Sequence, residues 1–295
     1  MMILEWLKAV LYGIVEGITE WLPVSSTGHL ILIQDFLPFA FTADQAFLNR
    51  FEEMFQVVIQ LGAILAVVIL FWHKLWPFSA KKTHEEKRST WSLWLKVVVA
   101  SIPAALVGTV GDKLLEKLTS KDIDGWLYHS VVVAAMLIVY GVAFIVVEKL
   151  HRGHMARVEC VEEISFGTAF LVGLFQCLSI VPGTSRSGST ILGSMLLGLS
   201  RTAGAEFSFF MAIPAMVGAS GIKLLDFCSW VAEQGLTVPT RAWVVLTIGF
   251  LVSFLVSLAA IRFLVDFVKK HSFTPFGVYR IVLGVAVLLF WLLRG

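Results

Sequence analysis

The chain has 295 residues, of which 58% are hydrophobic and only 15% charged, with a formal net charge of +2 at pH 7. Soluble domains carry roughly 25% charged and about 45–50% apolar residues, so this composition belongs to an integral membrane protein. The small charge is dispersed among short loops instead of gathered in a stripe, which excludes nucleic acid as a partner.

Taken in chain order, the N-terminal stretch MMILEWLKAV lacks the basic start and small-residue cleavage site of a signal peptide and is expected to stay in the mature protein. An apolar stretch over 3–37 follows, interrupted by the polar turn PVSSTGH at 23–29. Spans are expected at 55–72, 91–110 and 126–148, each close to the ~20 apolar residues that cross ~30 Å of hydrocarbon. A second interrupted stretch occupies 164–199, broken by PGTSRSGST at 182–190, and three more spans are expected at 204–225, 242–267 and 275–293. The arms after the two breaks, 30–37 and 190–199, are short. At about 1.5 Å per residue each reaches only half-way across a bilayer, so both stretches read as re-entrant helix hairpins. Cys160, Cys177 and Cys228 stand far apart without a CxxC pair, so neither a disulfide framework nor a cysteine metal knot is expected.

Loop charge orients these elements. The segments 73–90, 149–163 and 268–271 hold ten basic residues (Lys74, Lys81, Lys82, Lys87, Arg88, Lys149, Arg152, Arg157, Lys269, Lys270). The alternate segments 33–53, 111–125 and 226–240 hold four (Arg50, Lys113, Lys117, Lys121). The positive-inside rule makes the first set cytoplasmic and puts both termini outside. The first hairpin then enters from outside and the second from the cytoplasm, each followed by three spans. The expected fold is all-α: six transmembrane helices and two re-entrant hairpins in an inverted-topology repeat. It forms one polytopic domain over 1–295, with repeat 1 at about 1–150 and repeat 2 at about 160–295. Such repeats bring irregular backbone together in a protein-lined cavity, so the two polar turns should meet.

The first turn follows a helix carrying Glu16 and Glu20 at i, i+4, on one face. Intramembrane carboxylates are costly, and two on one face imply a water-filled cavity, a cation or a proton. Ser25, Ser26, Thr27, Gly28 and His29 come next: hydroxyls, amides and a glycine ahead of a helix N-terminus that favours an anion. The second turn sets Arg186 among Ser185, Ser187, Gly188, Ser189 and Thr190. Its planar fork suits bidentate binding of phosphate, while a buried ion pair with Glu16 or Glu20 is the plainer alternative. Carboxylates able to hold Mg²⁺ or Ca²⁺, an arginine, an anion cradle and a Ser/His pair form a toolkit for phosphoryl transfer. Its burial in hydrocarbon points to a lipid phosphate or diphosphate. A polyprenyl-phosphate flippase could use the same cradle without breaking a bond.

At these residues the chain resembles the undecaprenyl-diphosphate phosphatases, also called the bacitracin-resistance proteins, across nearly its whole length. The family's carboxylate helix followed by PVSSTGH stands here as Glu16 to His29, and its PGxSRSxxT as Pro182 to Thr190. The resemblance implies a bacterial plasma-membrane hydrolase with its site facing the exterior or periplasm. It would remove the terminal phosphate of undecaprenyl diphosphate, regenerating the monophosphate carrier for cell-wall precursors and conferring bacitracin resistance. By the same resemblance Glu16 and Glu20 would bind the divalent cation or help activate the attacking group. Ser26 and His29 would form the nucleophilic centre, and Arg186, Ser185 and Ser187 would hold the diphosphate, with Ser25, Thr27, Gly28 and Thr190 as further binding residues. Ser26 is favoured as nucleophile with His29 as its acid/base. One departure is Gln56, where relatives often carry glutamate in FEVVIQLG. Membrane lipids are expected neighbours, and a homodimer is admitted as a candidate state.

Overall fold

The structure, a computed structural model, describes residues 2–111, 130–151, 153 and 155–294. Among these residues the fold is helical throughout, and the helices are α1 (Met2–Thr19), α2 (Ser26–Phe36), α3 (Gln45–Leu70), α4 (Trp72–Leu75), α5 (His84–Leu106), α6 (Ser130–Leu150), α7 (Phe166–Cys177), α8 (Arg186–Leu196), α9 (Arg201–Glu233), α10 (Thr240–Lys270) and α11 (Thr274–Arg294). Six are long and apolar enough to cross a membrane: α3, α5, α6, α9, α10 and α11. They correspond to the six expected spans. All of the expected 111–125 segment after Gly111, with its three lysines, the first residues of the 126–148 span, and Arg152 lie outside the described residues.

Several helices begin earlier than hydropathy places them. Asp44 caps α3 by accepting from Phe47 N at 2.9 Å, so α3 starts ten residues before the apolar run, through the polar turns of Asn49, Arg50 and Glu53. Hydropathy registers where the membrane begins, whereas the cap decides where the helix begins. Thr83 and Glu86 likewise close a reciprocal capping box that starts α5 ahead of its span.

Two shorter pairs flank the breaks. α1 and α2 have 18 and 11 residues, α7 and α8 have 12 and 11, and within each pair the arms pack together. Each first arm lies on a helix from the other half of the chain, α1 on α10 and α7 on α5. Glycine permits both approaches. A Cβ at Gly13 would stand 2.7 Å from Gly249 O, and one at Gly173 would run into the backbone of Ala100. α6 and α11 cross at a reciprocal contact, in which a Cβ on Gly141 would lie 2.7 Å from Gly277 O and one on Gly277 would lie 2.7 Å from Gly141 O.

The basic end of the molecule is marked by Trp72 stacked on Trp76 (4.7 Å) and by Phe78 edge-on to Trp91 (5.7 Å), all exposed. They adjoin Lys81, Lys82, Lys87 and Arg88 as an interfacial belt does. At the same end the buried Glu148 accepts from Arg201 Nε (2.9 Å), Arg201 Nη2 (2.5 Å) and Phe273 N (2.7 Å), tying α6, α9 and the start of α11 together. The opposite end is filled by a Phe-rich cluster in which Phe39 and Phe55 pack on Tyr12, and Phe39, Phe51 and Phe55 pack on each other. These two ends frame the elbows between α1 and α2 and between α7 and α8.

Candidate active site

The two elbows share one backbone device. Ser25 (φ 75°) and Ser185 (φ 73°) are the non-glycine residues with positive φ among the described residues, a strained conformation that persists only where the surroundings enforce it. Each caps the helix it precedes, Ser25 Oγ accepting from Gly28 N at 3.4 Å and Ser185 Oγ from Gly188 N at 3.1 Å. The equivalence is therefore Ser25 with Ser185, which brings Ser26 opposite Arg186 in register. The second elbow has one more residue between its proline and its serine. Gly183 takes up that extra length at φ 88°, where a Cβ would collide with the backbone of Val133.

The elbows meet, as expected of them. Arg186 Nη2 donates to Glu20 Oε1 at 3.0 Å and its Nη1 donates to Ser208 O on α9 at 2.8 Å. Ser187 Oγ reaches Glu20 O at 3.1 Å. Within the first elbow Ser26 Oγ donates to Glu20 Oε2 at 2.5 Å. Glu20 is thus shared: one oxygen faces a guanidinium from the second elbow and the other a serine hydroxyl from the first. A charge-assisted hydrogen bond this short fixes the Ser26 side chain and gives its proton an acceptor.

Glu16 is fully buried, and both of its carboxylate oxygens lack a hydrogen-bond partner. It lies within electrostatic reach of Glu20 and Arg186. A buried carboxylate without donors calls for a cation or a proton. Glu20 differs in that each of its oxygens already accepts one hydrogen bond from a side chain. Among the described residues no three His, Cys, Asp or Glu side chains group closely enough to hold a metal unaided. A cation here therefore fits Glu16 plus oxygens supplied by a bound phosphate, the mode in which Mg²⁺ is commonly held.

His29 is placed differently from the expectation that it serves Ser26. Its Nδ1 lies 2.7 Å from Ser25 O and its Nε2 lies 2.7 Å from the Tyr279 hydroxyl, with the two rings stacked at 5.7 Å. A carbonyl only accepts, so Nδ1 carries a proton and a neutral ring accepts from Tyr279 through Nε2. The side chain leans back along α2 onto the preceding turn, as helical side chains do, and so braces the strained Ser25 instead of contacting Ser26.

Sequence reasoning missed Arg280. It is fully buried, and its guanidinium donates to Pro23 O (3.0 Å), Gly183 O (2.8 Å) and Thr184 O (2.9 Å), clamping both elbows from α11. It also sits over the Tyr140 ring at 5.4 Å and forms no ion pair among the described residues. Because a trans peptide sets N–H opposite C=O, turning Thr184 O toward Arg280 turns Ser185 N–H away from it. The signal was a lone arginine inside the apolar run 275–293, which is functional by default at membrane depth. Ser208 gave no such signal.

Between the elbows lies a cavity of about 370 Å³ lined by Glu20, Ser25, Ser26, Thr27, Ser185 and Arg186, with Gln60 of α3 and Ala219 of α9 on its walls. The remaining expected binding residues stand behind it. Gly28 and Gly188 are the capped amides, and Ser187 shares a 3.1 Å contact with Ser185 Oγ. Thr190 is buried against Ser208 Oγ at 2.6 Å, where it supports the turn of α9 whose Ser208 carbonyl holds Arg186, and it does not line the cavity. The constellation can bind an anion, offer a hydroxyl nucleophile and accept its proton within one cavity.

Comparison with known proteins places this geometry in context. Residues 9–286 match the family model described as bacitracin resistance protein BacA. The chain is 50% identical over 294 residues to an undecaprenyl-diphosphatase of Streptococcus pyogenes serotype M4, with 98% of each chain covered. It is 48% identical over 285 residues to an undecaprenyl-diphosphatase of Enterococcus faecalis, with 97% of each covered, and 48% identical over 294 residues to one of Streptococcus mutans serotype c, covering 100% of this chain and 99% of the other.

Proposed function

The chain belongs to the bacitracin resistance protein family, and from that premise and the geometry of the two elbows we propose how it removes the terminal phosphate of undecaprenyl diphosphate. It is a multi-pass membrane hydrolase of the undecaprenyl-diphosphatase type. The observation that carries the mechanism is the pair of hydrogen bonds that Glu20 accepts, from Ser26 Oγ at Oε2 (2.5 Å) and from Arg186 Nη2 at Oε1 (3.0 Å).

Arg186, which lines the cavity, and the free amides at the start of α2 and α8 receive the diphosphate, the guanidinium offering N–H groups beyond the two held by Glu20 and Ser208. Ser26 Oγ attacks the terminal phosphorus while its proton passes to Glu20. The bond from that phosphorus to the bridging oxygen breaks, and the lipid monophosphate leaves. Glu20, now protonated, returns its proton to the departing oxygen. Water then attacks the phosphoserine while Glu20 again accepts its proton, the bond from phosphorus to Ser26 Oγ breaks, and Glu20 passes that proton to the departing Ser26 Oγ, releasing orthophosphate and restoring the site. Arg186 neutralises charge that builds on the equatorial oxygens. His29 acts as a positioning residue through Ser25, which adjoins the nucleophile, and Ser185, Ser187 and Thr190 set the second elbow.

Glu16 would hold a divalent cation, Mg²⁺ or Ca²⁺, which when bound supplies further neutralisation of phosphate charge. The short second arms support re-entrant hairpins: at about 1.5 Å per residue, 11 residues of α2 or of α8 fall well short of ~30 Å. The crossed packing of α1 on α10 and α7 on α5, and the reciprocal Gly141 and Gly277 contact, support an inverted repeat. With the basic loops cytoplasmic, the site opens toward the exterior or periplasmic face of the bacterial inner membrane.

Turnover of polyprenyl diphosphate by purified protein in detergent tests this reading, with phosphate release as the readout. Wild type releases phosphate, Ser26→Ala does not, and rapid quenching traps label on wild-type serine. Release by Ser26→Ala at the wild-type rate, or label retained on that variant, would remove Ser26 from its role. Chelation lowers the wild-type rate, and Glu16→Gln abolishes its response to added Mg²⁺ or Ca²⁺; a chelator-insensitive enzyme would remove the cation.

A further inference from the structure

We infer that the protein carries a second, outer phosphate site at Arg50 and Lys223, in a vestibule whose near rim lies one helical turn beyond the cavity between the elbows. The inference builds on the phosphatase reading and assigns a function to a cavity that reading leaves unused. This outer vestibule has a volume of about 880 Å³, larger than the inner cavity. Three helices line both chambers at a spacing of four residues: α2 with Thr27 inside and Ile31 outside, α3 with Gln60 inside and Gln56 outside, α9 with Ala219 inside and Lys223 outside. Four residues advance a helix by about 6 Å, so the vestibule is the next level of one funnel, on the side away from the basic loops.

Its charged lining consists of Arg50, Lys223 and Glu53. Arg50 Nη1 lies 4.0 Å and Lys223 Nζ 3.6 Å from the same carboxylate oxygen, Glu53 Oε2. One carboxylate leaves two cations with an excess positive charge, and all three side chains are about half exposed, open to an arriving anion. Orthophosphate made in the inner cavity cannot leave through hydrocarbon. Its water-filled route passes these two cations, whose field raises local anion concentration. The same charges would also meet the phosphates of an incoming lipid headgroup. The shared chemistry is a phosphate group in transit.

The test measures inhibition of polyprenyl-diphosphate turnover by added orthophosphate, using full-length protein in detergent at low ionic strength. In the double variant Arg50→Gln, Lys223→Gln the half-inhibiting phosphate concentration rises by at least about threefold, and in Glu53→Gln it falls by a similar factor. An unchanged KM identifies the passenger as released orthophosphate, whereas a KM that rises in step identifies it as the headgroup. Inhibition and KM both unaltered in the two proteins would overturn the site. A second arm needs no turnover: orthophosphate protects the Lys223 amine of wild type from acylation, read by mass spectrometry, and protects it less in Arg50→Gln. Should wild type release no phosphate, the phosphatase reading fails while this protection still decides the outer site; absence of protection refutes it.

Discussion

The two elbows are built alike and charged differently. Both end a helix a few residues before a proline, hold a serine at φ near 75° after it, and use that serine to cap the amide of a glycine three residues on. The first then places a hydroxyl next to a carboxylate, and the second places a guanidinium at the equivalent position. One backbone solution thus supplies the attacking group and, repeated, the group that holds what is attacked. Irregular backbone at membrane depth is tolerated only where protein satisfies it, and the two copies satisfy each other through Glu20, Arg186 and Ser187. Neither elbow would be a site alone.

Changes at Glu20 and Arg186 break this division of labour most directly, and the largest effect is expected at Glu20. Glu20→Gln keeps the size of the side chain but removes both the proton acceptor for Ser26 and the charge facing Arg186. A loss of about 10²- to 10⁴-fold in kcat is expected for general-base removal, measured as phosphate release. Arg186→Lys keeps a positive charge, yet an ammonium is a point donor. It cannot hold Ser208 O and Glu20 while presenting a third N–H to phosphate. A fall of about 10²- to 10³-fold is expected, the scale of losing one preorganised donor to developing charge. Arg186→Lys as active as wild type would mean the fork is not used.

Arg280 sharpens the comparison because it touches both elbows and neither reacting atom. Arg280→Met fits the space with apolar atoms but leaves the carbonyls of Pro23, Gly183 and Thr184 without their donor. Each buried acceptor so orphaned costs about 1–3 kcal/mol, so thermal unfolding in detergent should occur at a markedly lower temperature. Turnover at a temperature where the variant is still folded should also drop, since Ser185 N–H is aimed by the peptide that Arg280 holds. Arg280→Lys should recover part of both. If Arg280→Met matched wild type in unfolding temperature and kcat, the clamp would have no role.

How far all this could be read in advance differs between the two levels. The six spans, the positions of the breaks and the meeting of the turns were legible, because apolar run length, proline and buried charge act locally. Helix starts such as Gln45 were not, since they depend on a cap beyond the apolar run. The serine conformations were not legible either: nothing in the residue type marks a left-handed serine, which is imposed by the surrounding packing. His29 was expected to serve Ser26 because the two are three residues apart, but the backward lean of a helical side chain delivers its ring to Ser25 O. Arg280 and Tyr279 were passed over inside a run long enough to span, although a single buried arginine there was itself the clue.

The smallest effect expected distinguishes the glycines at the two caps. A Cβ added at Gly28 would meet Ser25 Oγ at 3.3 Å and Val133 Cγ1 at 3.5 Å, the second an ordinary contact. A Cβ at Gly188 would meet Arg280 Nη1 at 3.1 Å and Ser185 Cβ at 3.2 Å. At Gly28 the neighbour that must give is the Ser25 hydroxyl, whose hydrogen bond to Gly28 N is already long at 3.4 Å and tolerates a shift of a few tenths of an ångström, while the guanidinium beside Gly188 is fixed by three carbonyls and can give way only by loosening them. Helical propensity favours alanine over glycine by about 1 kcal/mol at interior positions, which offsets the crowding at Gly28 but not the strain on the clamp. Gly28→Ala should therefore unfold within about 1 kcal/mol of wild type, and Gly188→Ala should be less stable by about 1–3 kcal/mol, the usual range for overpacking. Equal unfolding temperatures for the two would mean that Arg280 is free to shift, and that the second elbow is held no more rigidly than the first.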